Sequence, residues 1–455
     1  MARHLNQSVI RKLAHSFDGD LILPDDRRYR GARLVWNRAV KKSPLLIARC
    51  GGRHDVVRAV EFARHHDLPL AVRAGGHSFA GHGTCDDGIV IDLSLMKRAQ
   101  IAPDLAAIRI EGGMLARELD GMTQAFKAAV PLGSCQSVGV AGYALGGGES
   151  SLTPKFGYAC DSINQVEIVT ADGKVLTARE DEHPDLFWAV RGAGANFGVA
   201  VAIEFRLHPI EKVLSGHLKY PIRQARKVLA FIKEYAAGIP DDLFLILAVL
   251  PNPGERMLDI GVVWPGKPES GEKALRPLRT FIKPFQDTIA VRDYLDEQRA
   301  GSDTPEGADY FSSCRRAGHL QNLSDEVIQT IIEHTSNSPS EESGITMIYW
   351  HGPWSSKPFD NAFGFRRTGY EYWIHSYWKA AKQRVKALSW VREFFTSMTA
   401  YSSGAVYING LENEGEERVR AASSDKYQRL QAIKRKYDPD NIFRINQNIV
   451  PAGIT

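Results

Sequence analysis

The sequence lacks the long apolar runs that mark membrane proteins and exported precursors. No segment approaches the roughly 18 uninterrupted apolar residues of a membrane span, and the N-terminal segment contains no apolar stretch typical of a signal peptide. We therefore expect a cytoplasmic protein with no membrane partner. A large excess of either charge is also absent: 57 basic and 53 acidic residues leave a net charge of +4. Nothing in this balance favours nucleic acid as a partner.

Cysteine is scarce, and its spacing excludes two common structural devices. The chain has five cysteines, which is an odd number, and they are widely separated without any CxxC pair. This pattern excludes a disulfide framework or a structural zinc site, and we expect no bound metal. Cys50, Cys85, Cys160 and Cys314 are interpreted as small buried hydrophobes. A Walker-type GxxxxGK[ST] motif is absent as well, which excludes that class of nucleotide hydrolase.

The composition that remains is that of an ordinary globular protein. Of 455 residues, 44% are apolar and 24% are charged, which fits a two-domain enzyme. Residues 1–208 alternate short β-prone runs with helical periodicity, as at 55–63, and dense glycine. An Asp-Gly pair at 172–173 between two β-prone runs predicts a hairpin. Residues 424–437 predict a basic amphipathic helix whose charged side chains form a solvated face. Residues 209–410 have less glycine and longer helical stretches at 222–238, 269–282 and 325–334, with β-prone runs between them. The pattern predicts an α+β protein whose second domain begins near residue 209.

Three glycine-rich segments stand out in the first domain, at residues 73–81, 133–148 and 191–198. Glycine lets a backbone approach a ligand closely and point successive N–H groups at it, which suits phosphate oxygens. One such segment is usually a turn, whereas three in one domain indicate a large anionic cofactor. The third segment is followed by a strand instead of a helix and has the wrong glycine spacing for a Rossmann fingerprint. A dinucleotide held by another fold remains open.

The motifs, taken in order, carry a family resemblance. They read VRAGGHSFAG, GSCQSVGVAGYALGGG, GYACDSINQVEIVTADGKV, HPDLFWAVRGAGANFGV and KYDPDNIFRINQNI. This series resembles the bacterial-type, berberine bridge enzyme-like branch of the vanillyl-alcohol oxidase superfamily. The resemblance implies a PCMH-type FAD-binding domain at 1–208, a substrate-binding domain of antiparallel sheet covered by helices at 209–410, and a segment at 411–455 that returns to the FAD domain.

The same resemblance implies that FAD is attached covalently at two residues. The family histidine that bonds the flavin 8α-methyl group falls on His77, and the cysteine that bonds flavin C6 falls on Cys135. Alone, His77 would be an ordinary loop histidine and Cys135 a buried thiol, but their positions inside glycine-rich segments favour the cofactor role. The other expected FAD contacts are Arg73, Ala74, Gly75, Gly76, Ser78, Gly81, His82, Gly133, Ser134, Val138, Gly139, Gly142, Tyr143, Gly146, Gly147, Asn196, Gly198, Val199, Tyr407, Asn409, Asn446 and Gln447.

The resemblance gives no clear catalytic base. Many members carry a tyrosine where this chain has Gly410, after Tyr407-Ile408-Asn409, and a second family base falls on Trp373. Strand alternation places Glu371, Trp373 and His375 on one face. His375 is the predicted base because its ordinary pKa suits proton abstraction, although a structural histidine is an equal alternative. Tyr407, Glu371 and Tyr143 are further candidates, and Tyr372 and Trp373 are predicted to line the substrate pocket.

The predicted function is oxidation of a small molecule with O2 as the electron acceptor. Family oxidases often carry valine three residues after the cysteine, here Val138, where it leaves room for O2 at the flavin. We expect hydride removal from a hydroxyl- or amine-bearing carbon of a sugar or secondary metabolite, with release of H2O2. Two alternatives remain: a flavoprotein that binds or reoxidises an antibiotic, and a redox-neutral cyclase. The protein is expected to be a monomer or a homodimer.

Overall fold

The computed structural model describes residues 6–252, 255–300, 312–340, 343–356 and 359–453. Three sheets and a short two-stranded ribbon organise this part of the chain. The combination of helices with largely antiparallel sheets confirms the predicted α+β class. None of the helices in the described ranges is both long enough and apolar enough to cross a membrane.

The first sheet is built from four short strands: β1 (Asp20–Ile22), β2 (Leu46–Arg49), β3 (Leu70–Arg73) and β4 (Ile89–Asp92). Their order is β1-β2-β4-β3, and β2, β4 and β3 run parallel. Parallel strands are buried on both faces and therefore form continuous apolar runs, which made β3 and β4 recognisable in the sequence. The accompanying helices are α1 (Gln7–Ala14), α2 (Tyr29–Ala32) and α3 (Arg53–His65).

The second sheet is antiparallel and has five strands: β5 (Ala99–Ile101), β6 (Ala107–Glu111), β8 (Ile163–Val169), β9 (Val175–Arg179) and β10 (Val199–Arg206). The predicted Asp-Gly hairpin is present between β8 and β9, where Gly173 has a φ of +81°. A ribbon joins β7 (Ala128–Ala129) to β11 (His208–Pro209). The helices of this region are α4 (Ala116–Gln124), α5 (Val140–Leu145), α6 (Thr153–Phe156) and α7 (Pro184–Val190).

The third sheet has eight strands and is antiparallel throughout. Its strands are β12 (Lys212–Pro221), β13 (Phe244–Asn252), β14 (Glu255–Trp264), β15 (Gln286–Asp287), β16 (Ala290–Asp293), β17 (Ser312–Leu320), β18 (Gly344–Trp350) and β19 (Gly369–Trp378). The helices are α8 (Ala225–Ala236), α9 (Pro268–Phe281), α10 (Tyr294–Ala300), α11 (Asp325–Ser336), α12 (Pro353–Ser356) and α13 (Arg384–Thr399). Helices α8, α9, α11 and α13 contribute to an apolar layer against one face of this sheet.

The C-terminal segment returns to the first half of the chain through α14 (Glu416–Ser423) and α15 (Tyr427–Tyr437). The predicted amphipathic tail helix is present, but its basic residues do not all form a solvated face. Lys434 is fully buried, where it pairs with Asp438 at 2.7 Å and donates to the backbone oxygens of Asn196 and Phe443. One apolar cluster joins this segment to the second sheet and to the eight-stranded sheet, so the parts share a core.

Candidate active site

A cavity of about 990 Å³ lies between the glycine-rich segments and the eight-stranded sheet. Ligand cavities typically have volumes of roughly 300–1,000 Å³, so this one can hold a large ligand. All three glycine-rich segments contribute to its lining. The first segment follows the end of β3, one of the parallel strands, and ligands commonly bind beyond the carboxyl ends of such strands.

Strand alternation divides the eight-stranded sheet into a face packed on helices and an inner face that lines the cavity. Because side chains alternate along a strand, every second residue points to the cavity. Residues on the inner face include Ile246, Ala248, Gly261, Thr346, Ile348, Trp373 and His375. Tyr372 lies on the other face, fully buried against the helices near Phe395. Its predicted place in the substrate pocket is wrong, because it lies one residue out of register with Trp373.

His77 and Cys135 lie on either side of one serine in the cavity wall. His77 Nε2 lies 2.9 Å from Ser137 Oγ, and Cys135 Sγ lies 4.0 Å from the same oxygen. Trp36 stacks on the imidazole with the ring centroids 5.4 Å apart. Burial lowers the pKa of His77 to about 4, so the ring is neutral at neutral pH. The structure thus places the two predicted attachment residues side by side.

The glycines around the cavity have two different physical roles. Gly142 and Gly194 line the cavity, and a Cβ atom added to either would meet no atom within 4 Å. These two positions leave space open for a ligand. Gly75 and Gly139 instead let two segments touch, since a Cβ on either would lie 2.3 Å from the backbone nitrogen of the other. Side chains at these positions would push the first two segments apart.

Most predicted cofactor contacts line the cavity. Besides His77 and Cys135, these are Arg73, Ala74, Gly75, Gly76, Ser78, His82, Gly133, Ser134, Val138, Gly139, Gly142, Tyr143, Asn196, Asn409, Asn446 and Gln447. Asn196 and Asn446 connect the third glycine segment to the C-terminal segment: Asn196 donates to the backbone oxygen of Gln447, and Asn446 to that of Ala195. The C-terminal segment therefore completes the cavity wall.

Six predicted cofactor contacts lie outside the cavity lining. Four are glycines that permit close packing: the missing Cβ atoms of Gly81, Gly146, Gly147 and Gly198 would collide with Val40, Asn409, Phe363 and Val169, respectively. Val199 is 1% exposed at the start of β10, in the apolar cluster of the first sheet. Tyr407, also predicted as a base, is the sixth. For the four glycines, the sequence pattern reflects packing.

Tyr407 is fully buried and supports the second glycine segment from behind. Its hydroxyl oxygen accepts the N–H of Gly148 at 2.9 Å and the side-chain amide of Asn409 at 2.8 Å. Burial raises the pKa of Tyr407 well above its ordinary value. Because its hydroxyl is engaged away from the cavity, Tyr407 holds the loop in place and is no candidate for proton abstraction.

Glu149, in the cavity wall, forms a buried pair of carboxyl groups with Glu371, which lies behind the wall. Burial, followed by the negative charge of Glu371, raises the pKa of Glu149 well above its ordinary value. Burial also raises the pKa of Glu371, whose two oxygens accept the indole N–H groups of Trp350 and Trp373. A single proton held on Glu149 therefore neutralises one charge of the pair. Glu371 lies on the predicted strand face, but it is screened from the cavity by these contacts.

Glu149 was not singled out from the sequence, although it also contributes to the cavity lining. The available signal was a charged residue placed directly after the glycine triplet 146–148, in a segment otherwise free of charge. Its partner is 222 positions away along the chain, so the pair forms only through the tertiary fold. Tyr143 adds to this arrangement by donating its hydroxyl to the backbone oxygen of Glu149.

His375 lines the cavity on the inner face, as the strand alternation predicted. Burial, followed by the nearby charge of Arg315, lowers the pKa of His375 to about 3. The imidazole is therefore neutral at neutral pH and has one nitrogen able to accept a proton. Among the predicted base candidates, only His375 and Tyr143 reach the cavity, and burial raises the pKa of Tyr143 well above its ordinary value.

Comparison with known proteins gives two family matches. Residues 44–179 match a family described as an FAD binding domain, and residues 406–450 match one described as berberine and berberine like. The chain is 30% identical over 449 residues to (R)-6-hydroxynicotine oxidase of Paenarthrobacter nicotinovorans, covering 96% of this chain and 98% of that protein. It is 26% identical to chitooligosaccharide oxidase of Gibberella zeae, covering 92% and 89%.

Solved structures show the same fold. The structure of 6-hydroxy-D-nicotine oxidase from Arthrobacter nicotinovorans matches with a TM-score of 0.89 at 28% identity, covering 95% of this chain and 98% of that one. Xylooligosaccharide oxidase from Myceliophthora thermophila matches with a TM-score of 0.87 at 20% identity, covering 98% and 100%. These matches confirm the predicted two-domain flavoprotein architecture.

The fold and the cavity thus define an FAD-linked oxidoreductase. The chain belongs to the berberine bridge enzyme-like family of these enzymes. Its own residues fit FAD: Gly142 and Gly194 leave open space beside the backbone, and His77 and Cys135 offer two nucleophilic atoms in the same wall. When bound, FAD supplies the hydride acceptor and the route for electrons onward.

Proposed function

We propose that the protein is an oxidase with a doubly attached flavin. It removes a hydride from a hydroxyl- or amine-bearing carbon of a sugar or secondary metabolite and passes two electrons to O2, giving H2O2. The observation that carries this proposal is the placement of His77 and Cys135 around Ser137 in the wall of one cavity. The named oxidases among the relatives, which act on hydroxynicotine and chitooligosaccharides by their names, support the reaction class.

We infer that His77 bonds the flavin 8α carbon and that Cys135 bonds flavin C6. Ser137 engages Nε2 of His77, while Nδ1 has no hydrogen-bond partner within the described residues. Burial keeps the ring neutral. In the tautomer whose Nε2–H donates to Ser137 Oγ, Nδ1 carries the lone pair that a nucleophile needs. Each attachment replaces one flavin C–H bond with a bond to the protein. One hydrogen leaves the flavin carbon and one leaves the imidazole or the thiol, and both are transferred with two electrons to O2, giving H2O2.

His375 is the proposed acceptor of the substrate proton. It lies on the inner face opposite Arg315 in the β17–β19 ladder, and it lines the same cavity as His77 and Cys135. Its neutral imidazole accepts the O–H or N–H proton as the neighbouring C–H bond gives up its hydride. The charge of Arg315 limits the basicity of His375.

The intact mass of the acid-denatured protein tests the attachment. We expect wild type to carry the mass of one FAD and to fluoresce on a denaturing gel. His77→Ala and Cys135→Ala should each retain flavin through the remaining bond, and the double variant should release it. Cys160→Ala, which alters a cysteine buried away from the cavity, is the matched control. Apo mass with FAD in the supernatant would disprove covalent attachment, and colourless protein would disprove the cofactor proposal.

Peroxide release tests the reaction. Enzyme incubated with a panel of sugars, hydroxylated aromatics and secondary amines should consume O2 and release H2O2 in equal amounts with at least one of them. A protein that only sequesters an antibiotic would bind its ligand without releasing peroxide, and a cyclase would form product without reducing the flavin. Flavin that is reduced anaerobically and stays reduced after air is admitted would contradict an oxidase.

A further inference from the structure

Arg315 is a buried cation in the cavity wall that forms no ion pair with a carboxylate of the described residues. The residue is 9% exposed and lines the cavity. Within the part of the chain that the structure describes, no carboxylate oxygen lies within ion-pair distance of its guanidinium group. A buried charge is costly unless it is paired. An unpaired guanidinium group beside a ligand cavity therefore indicates that the cavity binds an anionic ligand.

Other buried arginines in the molecule show what is missing at Arg315. Arg73 pairs with Asp92 at 2.8 Å, and Arg366 pairs with Asp161 at 2.5 Å, with side chains that are 8% and 7% exposed. Each of these guanidinium groups has its own carboxylate inside the protein. Arg315 has comparable burial, but its side chain has only one protein acceptor within the described residues, the hydroxyl oxygen of Tyr377 at 3.2 Å.

Two aromatic rings contact the guanidinium group. Its central carbon lies 3.8 Å from the ring centroid of Phe79 and 4.3 Å from that of Trp373. Such cation–π contacts stabilise the charge without an acceptor oxygen for its N–H donors. The position of Trp373 is itself fixed by the N–H bond to Glu371. The N–H groups of Arg315 are therefore preorganised before a ligand arrives.

The nearby acidic groups are already committed to other partners. Glu412 accepts the backbone N–H of Arg315 and pairs with Arg316 at 2.8 Å. Glu371 is occupied by two indole groups and by Glu149. The charge of Arg315 does act on Glu371, where it offsets part of the rise in pKa that burial causes, but among the described residues neither carboxylate lies within ion-pair distance of the guanidinium group. A molecule in the cavity would supply a directly paired negative charge.

We propose that Arg315 is a specificity-determining residue and that the substrate is an organic acid whose carboxylate binds its guanidinium group. The proposal rests on the proposed function and names the substrate class of the same site. Arg315 and His375 are directly paired across the β17–β19 ladder. A carboxylate on Arg315 would therefore hold the reacting carbon close to the proton acceptor. Aromatic side chains on the same wall, including Trp36, Phe79 and Trp373, favour a flat, unsaturated body behind the carboxylate.

Calorimetry with matched acid and amide probes tests the proposal in the holoenzyme. The probes are 2-naphthoate and benzoate, each compared with its uncharged amide at neutral pH. A charge-assisted hydrogen bond is worth about 1.5–3 kcal/mol, so wild type should bind each acid about tenfold or more tightly than its amide. Arg315→Met preserves much of the contact with the two rings and should abolish this preference. Arg315→Lys keeps the charge but loses the planar fork, so it should retain part of it.

Arg292→Met is the control. Arg292 also lines the cavity, but it lies 3.8 Å from Glu297, so its replacement should leave the ratio of acid to amide affinities unchanged. Equal affinities in wild type, a preference that persists in Arg315→Met, or no binding of either acid at millimolar concentration would overturn the proposal. So would a lowered flavin midpoint potential in Arg315→Met with an unchanged ratio, because the cation would then serve the cofactor. Flavin absorbance of the same samples reports separately on the proposed function.

Discussion

Single side chains in the cavity wall have their protonation states set mainly by burial. Burial lowers the pKa of His77 to about 4 and that of His375 to about 3, which keeps both rings neutral at neutral pH. Neutrality leaves a lone pair on each ring, which the proposed flavin bond and the proposed proton transfer require. The same burial also lowers the basicity of both rings.

Replacement of His375 tests its role as proton acceptor. Loss of an acid–base group usually slows a reaction by about a hundredfold or more, so His375→Ala should slow anaerobic flavin reduction by substrate to this extent. His375→Gln preserves the bulk and should be equally slow. Because the pKa of His375 is about 3, acidification from neutral pH should cause no loss of rate through this group until the pH approaches that value. Unchanged reduction in both variants, measured by stopped-flow absorbance, would remove His375 from the mechanism.

For single residues, the sequence predicted the cavity residues that lie inside recognisable motifs. It missed those whose role depends on the presence or absence of a distant charged partner. His77 and Cys135 were located because each lies inside a glycine-rich segment of a specific series. Glu149 and Arg315 have no such local mark. Their importance comes from a distant carboxylate in one case and from the lack of one in the other, and both conditions exist only in the folded chain.

Among the elements, strand β19 shows how side-chain alternation determines which residues face the cavity and which pack against helices. Trp373 and His375 point to the cavity, whereas Tyr372 and Ile374 point to the helices. Strand alternation predicted the correct face for Trp373 and His375, but aromatic character alone suggested Tyr372 as a pocket residue. A side chain one position along a strand lies on the opposite face. The two-residue period of a strand therefore predicts which side chains face the cavity better than residue type does.

Two conservative substitutions test the carboxyl pair that anchors β19 to the second glycine segment. In Glu371→Gln only one oxygen remains to accept two indole N–H groups, so one buried donor loses its partner. We expect a loss of about 1–3 kcal/mol in the free energy of unfolding. Glu149→Gln keeps an N–H donor for the Glu371 carboxylate and should be close to neutral. Urea unfolding monitored by tryptophan fluorescence measures both, and equal losses would contradict a shared proton.

Helices α4 and α10 meet through another buried acid, Asp120, whose carboxylate accepts a hydrogen bond from Gln298 at 3.2 Å. Burial raises the pKa of Asp120 from 3.8 to about 7. Between these pH values the unfolded chain ionises this group while the folded protein keeps it protonated, so its contribution to stability falls as pH rises. Asp120→Asn removes this penalty. Its melting temperature should exceed that of wild type by a margin that grows towards pH 7 and then stays constant; a margin independent of pH would refute the assignment.

In the whole molecule, the C-terminal segment closes the cofactor cavity and is fixed by a buried ion pair. Lys434 holds Asp438 at 2.7 Å and the backbone oxygen of Asn196 at 2.6 Å, inside the third glycine segment. Removing one partner of a buried pair typically costs about 3–5 kcal/mol. Lys434→Met should therefore lower stability by this amount and reduce the flavin content of purified protein. Lys436→Met, at an exposed pair with Asp185, should do neither.

The general architecture was predictable because its signals are local and repeated. Helical periodicity at 55–63 and 325–334 and the Asp-Gly hairpin at 172–173 all correspond to observed elements. The burial of Lys434 was not predictable, since a basic helix is usually solvated and the polar atoms that receive this lysine come from three distant or irregular parts of the chain. Sequence periodicity reports which face of an element is apolar, but it does not report which polar group finds a partner.

The two-sided character of the eight-stranded sheet has a consequence for how such an enzyme can diversify. Positions such as Ala248, Thr346 and Ile348 face the cavity, while their immediate neighbours pack against the helices. A mutational library restricted to the cavity-facing residues of β13, β14 and β18 would remodel substrate preference and leave the packed layer intact. Substitutions at cavity-facing positions can therefore change substrate preference during evolution, while the alternating helix-facing positions are selected separately for stable folding.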